Sequence, residues 1–293
     1  MKLQPRALLW SVVILPIVFL CLPFAVFRHS KNVVKAINSE MSAQAGKTAL
    51  TSAVVVELFT SEGCSTCPPA DKLLTELDEN QPVNGAQVIA LSEHVDYWNR
   101  LGWKDPFSSA QFTERQTDYS RTLHVEDIYT PQMIVDGQNQ FVGNQRATAL
   151  EAIARAAQSP KARIEAAIKS STPNSITLSI QAGDVPEISR GDRADVILAI
   201  TESGLMSNVA RGENAGRRLT HSAVTRRMVK LGTIEGKAFN AEPAVHLESI
   251  WKRARLRAVV FVQERGSRRI LGAKALTLIE APASSDRDHS SSQ

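Results

Sequence analysis

The stretch TSEGCSTCPPAD, residues 60–71, decides the predicted fold of the first half of the chain. The run AVVVELF before it, residues 53–59, is continuous, apolar and rich in valine, which is typical of a strand buried on both faces. After the two cysteines, leucines recur at helical spacing over residues 73–77. A second apolar run, QVIALS, follows at residues 87–92. The sequence therefore predicts a strand–helix–strand unit with parallel strands and a CxxC at the start of its helix.

Further along the chain, turn and helix signals alternate. Asp105-Pro106 predicts a helix start, and Asp136-Gly137 predicts the turn of a β-hairpin. Residues 150–157 have the spacing of an amphipathic helix, and from residue 161 short runs broken by Gly, Pro, Asn and Ser predict an antiparallel sandwich. The predicted organisation is an anchor and tether at 1–50, a first domain at 51–160, a β-sandwich domain at 161–282 and a disordered tail at 283–293.

Residues 7–27 form an uncharged apolar run that is long enough to cross a membrane, since about 20 residues suffice. We predict an uncleaved signal anchor, with a cleaved signal peptide as the alternative. The soluble body is then expected in the periplasm, held at the inner membrane or exported. Cys21 belongs to this run, so Cys64 and Cys67 form the only cysteine pair in the body, which is too few for a disulfide scaffold.

The charge is unevenly distributed. The net charge of +4 resides in residues 1–45, whereas residues 46–160 carry a net −7 and residues 161–293 a net +7. Opposite charges favour docking of the two halves, although each half can also simply be soluble. No module that combines basic and aromatic residues is present, so we predict no nucleic-acid partner.

Three stretches carry a family resemblance: ELFTSEGCSTCPPAD, HVDYWNRLGWKDPFSS and YTPQMIVDG. They resemble the thioredoxin-like superfamily, and more specifically a bacterial family of unknown function whose members are described as secreted. GENAGRRLTHSAV in the second half is also similar to that family, so the resemblance covers about residues 53–280. It implies an α/β thioredoxin-like domain with a helical insertion, followed by an all-β sandwich-like domain. It also implies a cis Thr130-Pro131 bond that faces the cysteines and presents backbone to an extended substrate.

The predicted function is thiol–disulfide exchange with a protein that carries a thiol or a disulfide. At a helix N-terminus, the dipole and free N–H groups lower the pKa of a cysteine, so Cys64 is the predicted nucleophile. Cys67 resolves the mixed disulfide, and this pair is the only cofactor the reaction needs. The resemblance places Glu57 near the buried acid that moves the proton of the second cysteine, although Glu57 can equally reach solvent or form a salt bridge. Gly63 departs from thioredoxins, which carry Trp before the first cysteine.

Two other functions stay open. His94 follows the second predicted strand and Cys64 follows the first, so both belong at the carboxyl edge of the sheet. Cys64, Cys67 and His94 could then bind Cu(I), which prefers soft thiolates, or zinc, which needs a further ligand. The chain would in that case be a metal-binding protein or metallochaperone. The third possibility is a non-catalytic interaction module with a structural disulfide.

Two further features have alternative interpretations. The segment RGENAGRRLTHSAVTRRMVK, residues 211–230, is either a solvated basic loop or a segment that docks near the CxxC. Trp98 and Trp103 either pack the insertion or form an apolar rim around the site.

Overall fold

β-Strands contain 43% of the residues that the structure describes, and helices contain 19%. The structure is a computed structural model that describes residues 51–236 and 238–279. The prediction of an α/β thioredoxin-like domain followed by an all-β sandwich-like domain is therefore wrong. The protein is mostly β, and strands from both halves of the chain join in one mixed eight-stranded sheet.

The predicted membrane segment, residues 7–27, and the predicted tail, residues 283–293, lie outside the described residues. Among the helices that are described, none is long and apolar enough to cross a membrane. The anchor and its cleavage remain predictions from the sequence.

The described part of the chain has three α-helices, and their ends follow local sequence signals. They are α1 (Pro68–Asn80), α2 (Ala110–Leu123) and α3 (Arg146–Ala156). α1 begins at the proline pair after Cys67, because proline fits the first turn of a helix. α2 is capped by Ser109, whose hydroxyl accepts a hydrogen bond from the N–H of Gln111 at 3.2 Å.

The large sheet has the strand order β14-β13-β7-β10-β2-β1-β3-β4. Its strands are β1 (Ser52–Thr60), β2 (Ala86–His94), β3 (Gln132–Val135), β4 (Asn139–Val142), β7 (Ala194–Glu202), β10 (Val224–Thr233), β13 (Leu256–Glu264) and β14 (Ile270–Thr277). β2 is parallel to β1 and to β10, and the other pairs are antiparallel. The predicted parallel pair and the hairpin turn at Asp136-Gly137 are thus present, with φ of 48° and 69° at the turn.

Two smaller sheets complete the structure. The first contains β5 (Arg163–Thr172), β6 (Ser175–Gly183), β11 (Phe239–Ala241) and β12 (Ala244–His246). The second is the hairpin of β8 (Leu205–Asn208) and β9 (Arg218–His221). β9 leads directly into β10 and so returns the chain to the large sheet.

Each face of the large sheet is covered. α1 and α3 cover one face of the half built from β1 to β4, and the sheet of β5, β6 and β12 covers the same side of the other half. α2 covers the opposite face, where its residues pack with side chains from both halves, including Phe59 and Phe261. Each fully buried Phe or Leu contributes about 1.5–3 kcal/mol through the hydrophobic effect. The two halves therefore share one core beneath α2.

The junction between the halves lies at the carboxyl end of β2. Val224 of β10 is paired with Ser92, and the N–H of Ser92 donates to the carbonyl of Ala223 at 2.8 Å. The last residues of β9 consequently lie next to the end of β2, beside the loop that carries the cysteines.

Candidate functional site

The two cysteines lie in the loop between β1 and α1, and they form a disulfide with a Cα–Cα distance of 5.4 Å. The N–H of Cys64 donates to the carbonyl of Ser61 at 3.1 Å, and the N–H of Cys67 donates to that of Cys64 at 3.3 Å. Cys67 is the N-cap residue of α1. Cys64 was predicted at the helix N-terminus, but it lies in the preceding turn, because Pro68 sets the first residue of the helix.

Both cysteine side chains have 0% of their surface exposed, whereas Ser65 and Thr66 between them are exposed. The hydroxyl of Thr66 lies 3.4 Å from Sγ of Cys64. In the reduced protein this hydroxyl can donate a hydrogen bond to a Cys64 thiolate, which favours the charged form. The disulfide is thus surrounded by protein, with polar groups at its outer edge.

Part of this enclosure comes from the connection between β8 and β9, residues 209–217, which we call the cap. The carboxylate of Glu213 accepts a hydrogen bond from the N–H of Ser65 at 3.0 Å. The side-chain amide of Asn214 donates to the carbonyls of Glu62 and Cys64 at 2.8 and 2.9 Å. Of the two interpretations of this segment, the structure therefore contains the one in which it docks near the CxxC. An acid and an amide make the contacts, instead of arginines.

Thr130-Pro131 has a cis peptide bond and lies beside the cysteine loop. The indole N–H of Trp98 donates to the hydroxyl of Thr130 at 2.8 Å. The same tryptophan packs so closely on Gly63 that a Cβ added there would lie 3.1 Å from the Cβ of Trp98. On the other side, a Cβ added to Gly143 would lie 3.1 Å from Ala70 in the first turn of α1 and 3.2 Å from Pro131. Trp98 and Gly143 thus link Thr130-Pro131 to Gly63 and Ala70, which flank the predicted site residues Cys64 and Cys67 in the chain.

A buried polar cluster lies behind the disulfide and consists of Glu62, Asp71, His94, Asp105 and His221. Nδ1 of His94 is 2.7 Å from the carboxylate of Asp105, and Nε2 of His221 is 3.0 Å from that of Glu62. The two imidazole rings meet edge to face at a centroid distance of 4.8 Å. Nδ1 of His221 lies 4.0 Å from the carboxylate of Asp71. The cluster adjoins the disulfide through the chain, since the N–H of Asp71 donates to the carbonyl of Cys67 at 3.1 Å.

Burial and charge act in opposite directions on this cluster. Burial raises the pKa of Asp71, although the two histidines partly oppose this effect. Burial acts to lower the pKa of His94, but Asp105, Asp71 and Glu62 outweigh it and raise the pKa. Burial also acts to raise the pKa of Asp105, but His94 and two backbone N–H donors hold it below its usual range. The pair of His94 and Asp105 therefore favours an imidazolium and a carboxylate.

The predicted metal ligands are not arranged around a common point. Cys64 and Cys67 are bonded to each other, and Nδ1 of His94 is occupied by Asp105. Nε2 of His94 has no hydrogen-bond partner among the described residues. Within that part of the chain, no group of three or more His, Cys, Asp and Glu side chains has the arrangement of a metal site. Metal binding by Cys64, Cys67 and His94 thus requires reduction of the disulfide first.

Glu57 lies on the opposite face of the sheet, below α2, and not beside the cysteines. Its carboxylate accepts a hydrogen bond from Nε of Arg115 at 2.6 Å and another from the hydroxyl of Tyr119. Arg115 also donates to Gln263 at 3.0 Å and lies 3.5 Å from the carboxylate of Glu93. Of the two roles considered for Glu57, the salt bridge is the one found. Both partners of Glu57 lie on α2 and both bond to Gln263 of β13, so the network joins both halves of the protein.

Sequence reasoning missed most of the polar residues around the disulfide. Asp71 had a local signal, because it lies four residues after Cys67 and therefore on the same face of the helix. Asp105, Glu213 and His221 reach the loop from distant parts of the chain. Their segments were noted for a helix start and for possible docking, but nothing in the local sequence indicates that these three side chains contact the cysteine loop or its neighbours. Trp103, left open as packing or rim, donates its indole N–H to Glu62 at 2.8 Å.

The fold and the site define a mostly β protein in which a buried CxxC disulfide lies under a cap from the second half of the chain. The chain belongs to the family described as "Protein of unknown function (DUF1223)", which matches residues 55–263. A crystal structure of protein AGR_C_4864 from Agrobacterium tumefaciens is similar, with 28% identity and a TM-score of 0.61, over 79% of this chain and 96% of that one. HBP35 of Porphyromonas gingivalis shares the fold at 14% identity and a TM-score of 0.59, over 81% of this chain and 79% of that one. No curated protein matches the chain.

Proposed function

We propose that the protein carries out thiol–disulfide exchange with an extracytoplasmic protein through Cys64 and Cys67. The observation that supports this most directly is the Cys64–Cys67 disulfide between the end of a buried strand and the first turn of α1. Thr66 at the sulfur of Cys64 and the acid–base cluster next to Cys67 supply groups that stabilise thiolates and exchange protons. We propose a relation to thioredoxin-like proteins only for the cysteine loop beside Thr130-Pro131, and not for the fold as a whole. An oxidising location such as the periplasm is compatible with a persistent disulfide.

The reaction transfers two electrons and needs no further cofactor. A thiolate of the partner attacks Sγ of Cys64, forms a mixed disulfide and releases Cys67 as a thiolate. A second thiolate of the partner then attacks the partner sulfur that is bonded to Cys64 in the mixed disulfide, and Cys64 leaves as a thiolate. The partner becomes a disulfide, the cysteine pair becomes a dithiol, and the two protons lost by the partner end on the pair or on the buried cluster. The reverse sequence, with Cys64 as nucleophile, oxidises the pair and reduces the partner.

The test is a redox titration of the full chain. The protein is equilibrated in glutathione buffers of graded potential, and free thiols are trapped and counted by mass. A reversible midpoint between about −120 and −270 mV lies in the range of known oxidoreductases and would support exchange. A variant with serine at both positions, Cys64→Ser with Cys67→Ser, is the control for thiols outside the pair, including Cys21. Copper and zinc are measured on the reduced protein, since stoichiometric metal that His94→Ala abolishes would favour the metal-binding alternative instead.

Complete burial of both cysteines favours a second candidate, a non-catalytic interaction module in which the disulfide only holds the loop. Structural disulfides have potentials below about −300 mV. A pair that stays oxidised in buffers below that value would select this candidate and exclude exchange as the function.

A further inference from the structure

The cap is hydrogen-bonded to the backbone around Cys64, and the cysteines that exchange chemistry must reach are buried. A partner sulfur has to come into bonding distance of Cys64, yet no part of the Cys64 or Cys67 side chains is exposed. The cap residues Glu213 and Asn214 hydrogen-bond to the backbone on both sides of Cys64. Exchange in the closed arrangement is therefore sterically blocked.

The cap itself is weakly held. Of its residues, Asn214 and Val209 are buried, while Glu213 and the remainder are exposed. Its hydrogen bonds to the cysteine loop come from Glu213 and Asn214, and its one buried apolar side chain, Val209, lies at the base next to β8. Segments with few buried apolar contacts open at low free energy compared with the core.

The backbone at the tip of the cap also suits a hinge. Gly212 and Gly216 flank the two contact residues, with φ of 76° and 77°. A Cβ added to Gly216 would meet nothing within 4 Å, whereas one added to Gly212 would lie 3.3 Å from the Cβ of Trp103, so the open space is on the Gly216 side of the tip. At the base, the N–H of Val209 donates to the carbonyl of Arg217 at 2.9 Å and closes the loop. The tip can therefore swing while the hairpin of β8 and β9 stays paired.

The groups beneath the cap indicate what replaces it. Displacement leaves the carbonyl of Glu62 and the N–H of Ser65 without these partners, and it leaves the carbonyl of Cys64 with the N–H of Cys67 at 3.3 Å and one acceptor position open. Buried or partly buried main-chain groups require new hydrogen bonds, and an extended polypeptide carries both donors and acceptors along its backbone.

We propose that residues 209–217 are a displaceable cap, and that the main-chain groups beneath it bind an extended segment of the partner protein next to its cysteine. Glu213 and Asn214 then determine how readily the disulfide reacts. This inference rests on the proposed exchange function, because the partner is identified by its thiol.

The cap is tested by the rate at which dithiothreitol reduces the disulfide in the full chain. Glu213→Ala and Asn214→Ala remove the two contacts, and we expect each to accelerate reduction on the order of tenfold because the closed arrangement loses hydrogen bonds. Arg211→Ala is the matched control within the cap, since Arg211 is exposed and has no hydrogen bond or ion pair to another described residue. Equal reduction rates in the unmodified protein and the three variants would refute the proposal that the cap controls access to the disulfide.

The docking surface is tested with a linear peptide that has one free cysteine and with the same peptide N-methylated at the two bonds beside that cysteine. Rates are normalised to the reaction of each peptide with oxidised glutathione. With Asn214→Ala, the methylated peptide is expected to react on the order of tenfold more slowly, since it lacks N–H donors for the two carbonyls. Equal normalised rates would refute the docking surface and leave the cap intact.

Hydrogen exchange of the unmodified protein gives a measurement that does not depend on variants. Peptides covering residues 61–67 and 209–217 should exchange together and earlier than those of β1 and β13. Exchange only with global unfolding would mean that the cap does not open. The redox midpoint separates the two proposals: a midpoint in the exchange range with unchanged variant rates overturns the cap alone. A pair that stays oxidised below about −300 mV with accelerated variants overturns the exchange function alone.

Discussion

Replacing Arg115 with methionine should destabilise the protein more than any exposed charge change on the same helix. Arg115 is 7% exposed, forms an ion pair with the wholly buried carboxylate of Glu57 at 2.6 Å and lies 3.5 Å from the buried carboxyl group of Glu93. Removing one partner of a buried ion pair leaves a charge without compensation, which costs about 3–5 kcal/mol. For a chain of this size, each kcal/mol lowers the melting temperature by about 2–4 °C, so Arg115→Met should melt roughly 6–20 °C earlier.

The assay is urea denaturation followed by tryptophan fluorescence, with stability taken from the midpoint and slope. Arg121→Met is the matched control on α2, because Arg121 is 73% exposed and its pair with Asp118 is 3.1 Å long. Exposed pairs of this kind contribute about 0.3–0.5 kcal/mol. Adding Glu57→Gln to Arg115→Met should recover part of the loss, since it removes one unpaired charge. A loss below about 1 kcal/mol for Arg115→Met would refute the assignment of this network as the electrostatic link between the halves.

Three further outcomes are expected. Burial and the neighbouring Glu57 raise the pKa of Glu93 well above its usual range, so the stability that protonated Glu93 contributes is complete at low pH and is lost as pH rises towards the raised pKa. Glu93→Gln should flatten the resulting fall of the urea midpoint between pH 5 and 8. An unchanged dependence of the urea midpoint on pH would contradict the assignment. Cys67→Ser should accumulate a mixed disulfide on Cys64 when it is incubated with a disulfide partner such as oxidised glutathione, because the Cys64 thiolate attacks that disulfide, releases one thiolate and has no second cysteine to resolve the adduct. Cys64→Ser should not form this mass adduct, and adducts on both variants would contradict the assigned nucleophile. Trp98→Phe keeps an aromatic side chain but removes the indole N–H and its hydrogen bond to Thr130, so a loss on the order of 1 kcal/mol in urea denaturation is expected, and no loss would show that this bond does not hold the site together.

The individual strands and helices could partly be predicted, because the spacing of apolar residues along the chain indicates which residues are buried. The apolar run at 53–59 is β1, the run at 87–92 is β2, and the leucines after the cysteines lie on α1. The helix start predicted at Asp105-Pro106 was wrong, and α2 begins five residues after Asp105. The reason is that the Asp105 carboxylate bonds to His94 and to the N–H of Glu62, and is thus committed to the buried cluster.

The pairing of distant strands could not be predicted in this way. Residues 224–230 belonged to the predicted basic segment 211–230, yet residues 224–233 form β10 between β2 and β7. The charge of Arg226 is accommodated because its guanidinium stacks over Phe107 and Trp251 at 5.3 and 5.6 Å. A strand with two adjacent arginines has no local mark of a central position, so the continuous sheet and the covered disulfide were both missed.

The cap also has a consequence for the order of events during synthesis. Asn214 follows Cys64 by 150 positions in the chain. A ribosome adds about 5–20 residues per second, so roughly 8–30 s pass between the emergence of the cysteines and that of the residues that cover them. Protein disulfides form in seconds to hours, depending on the oxidant. A fast oxidant can therefore join the cysteines while their loop is still open, and a slow one has to wait for the finished protein to open again.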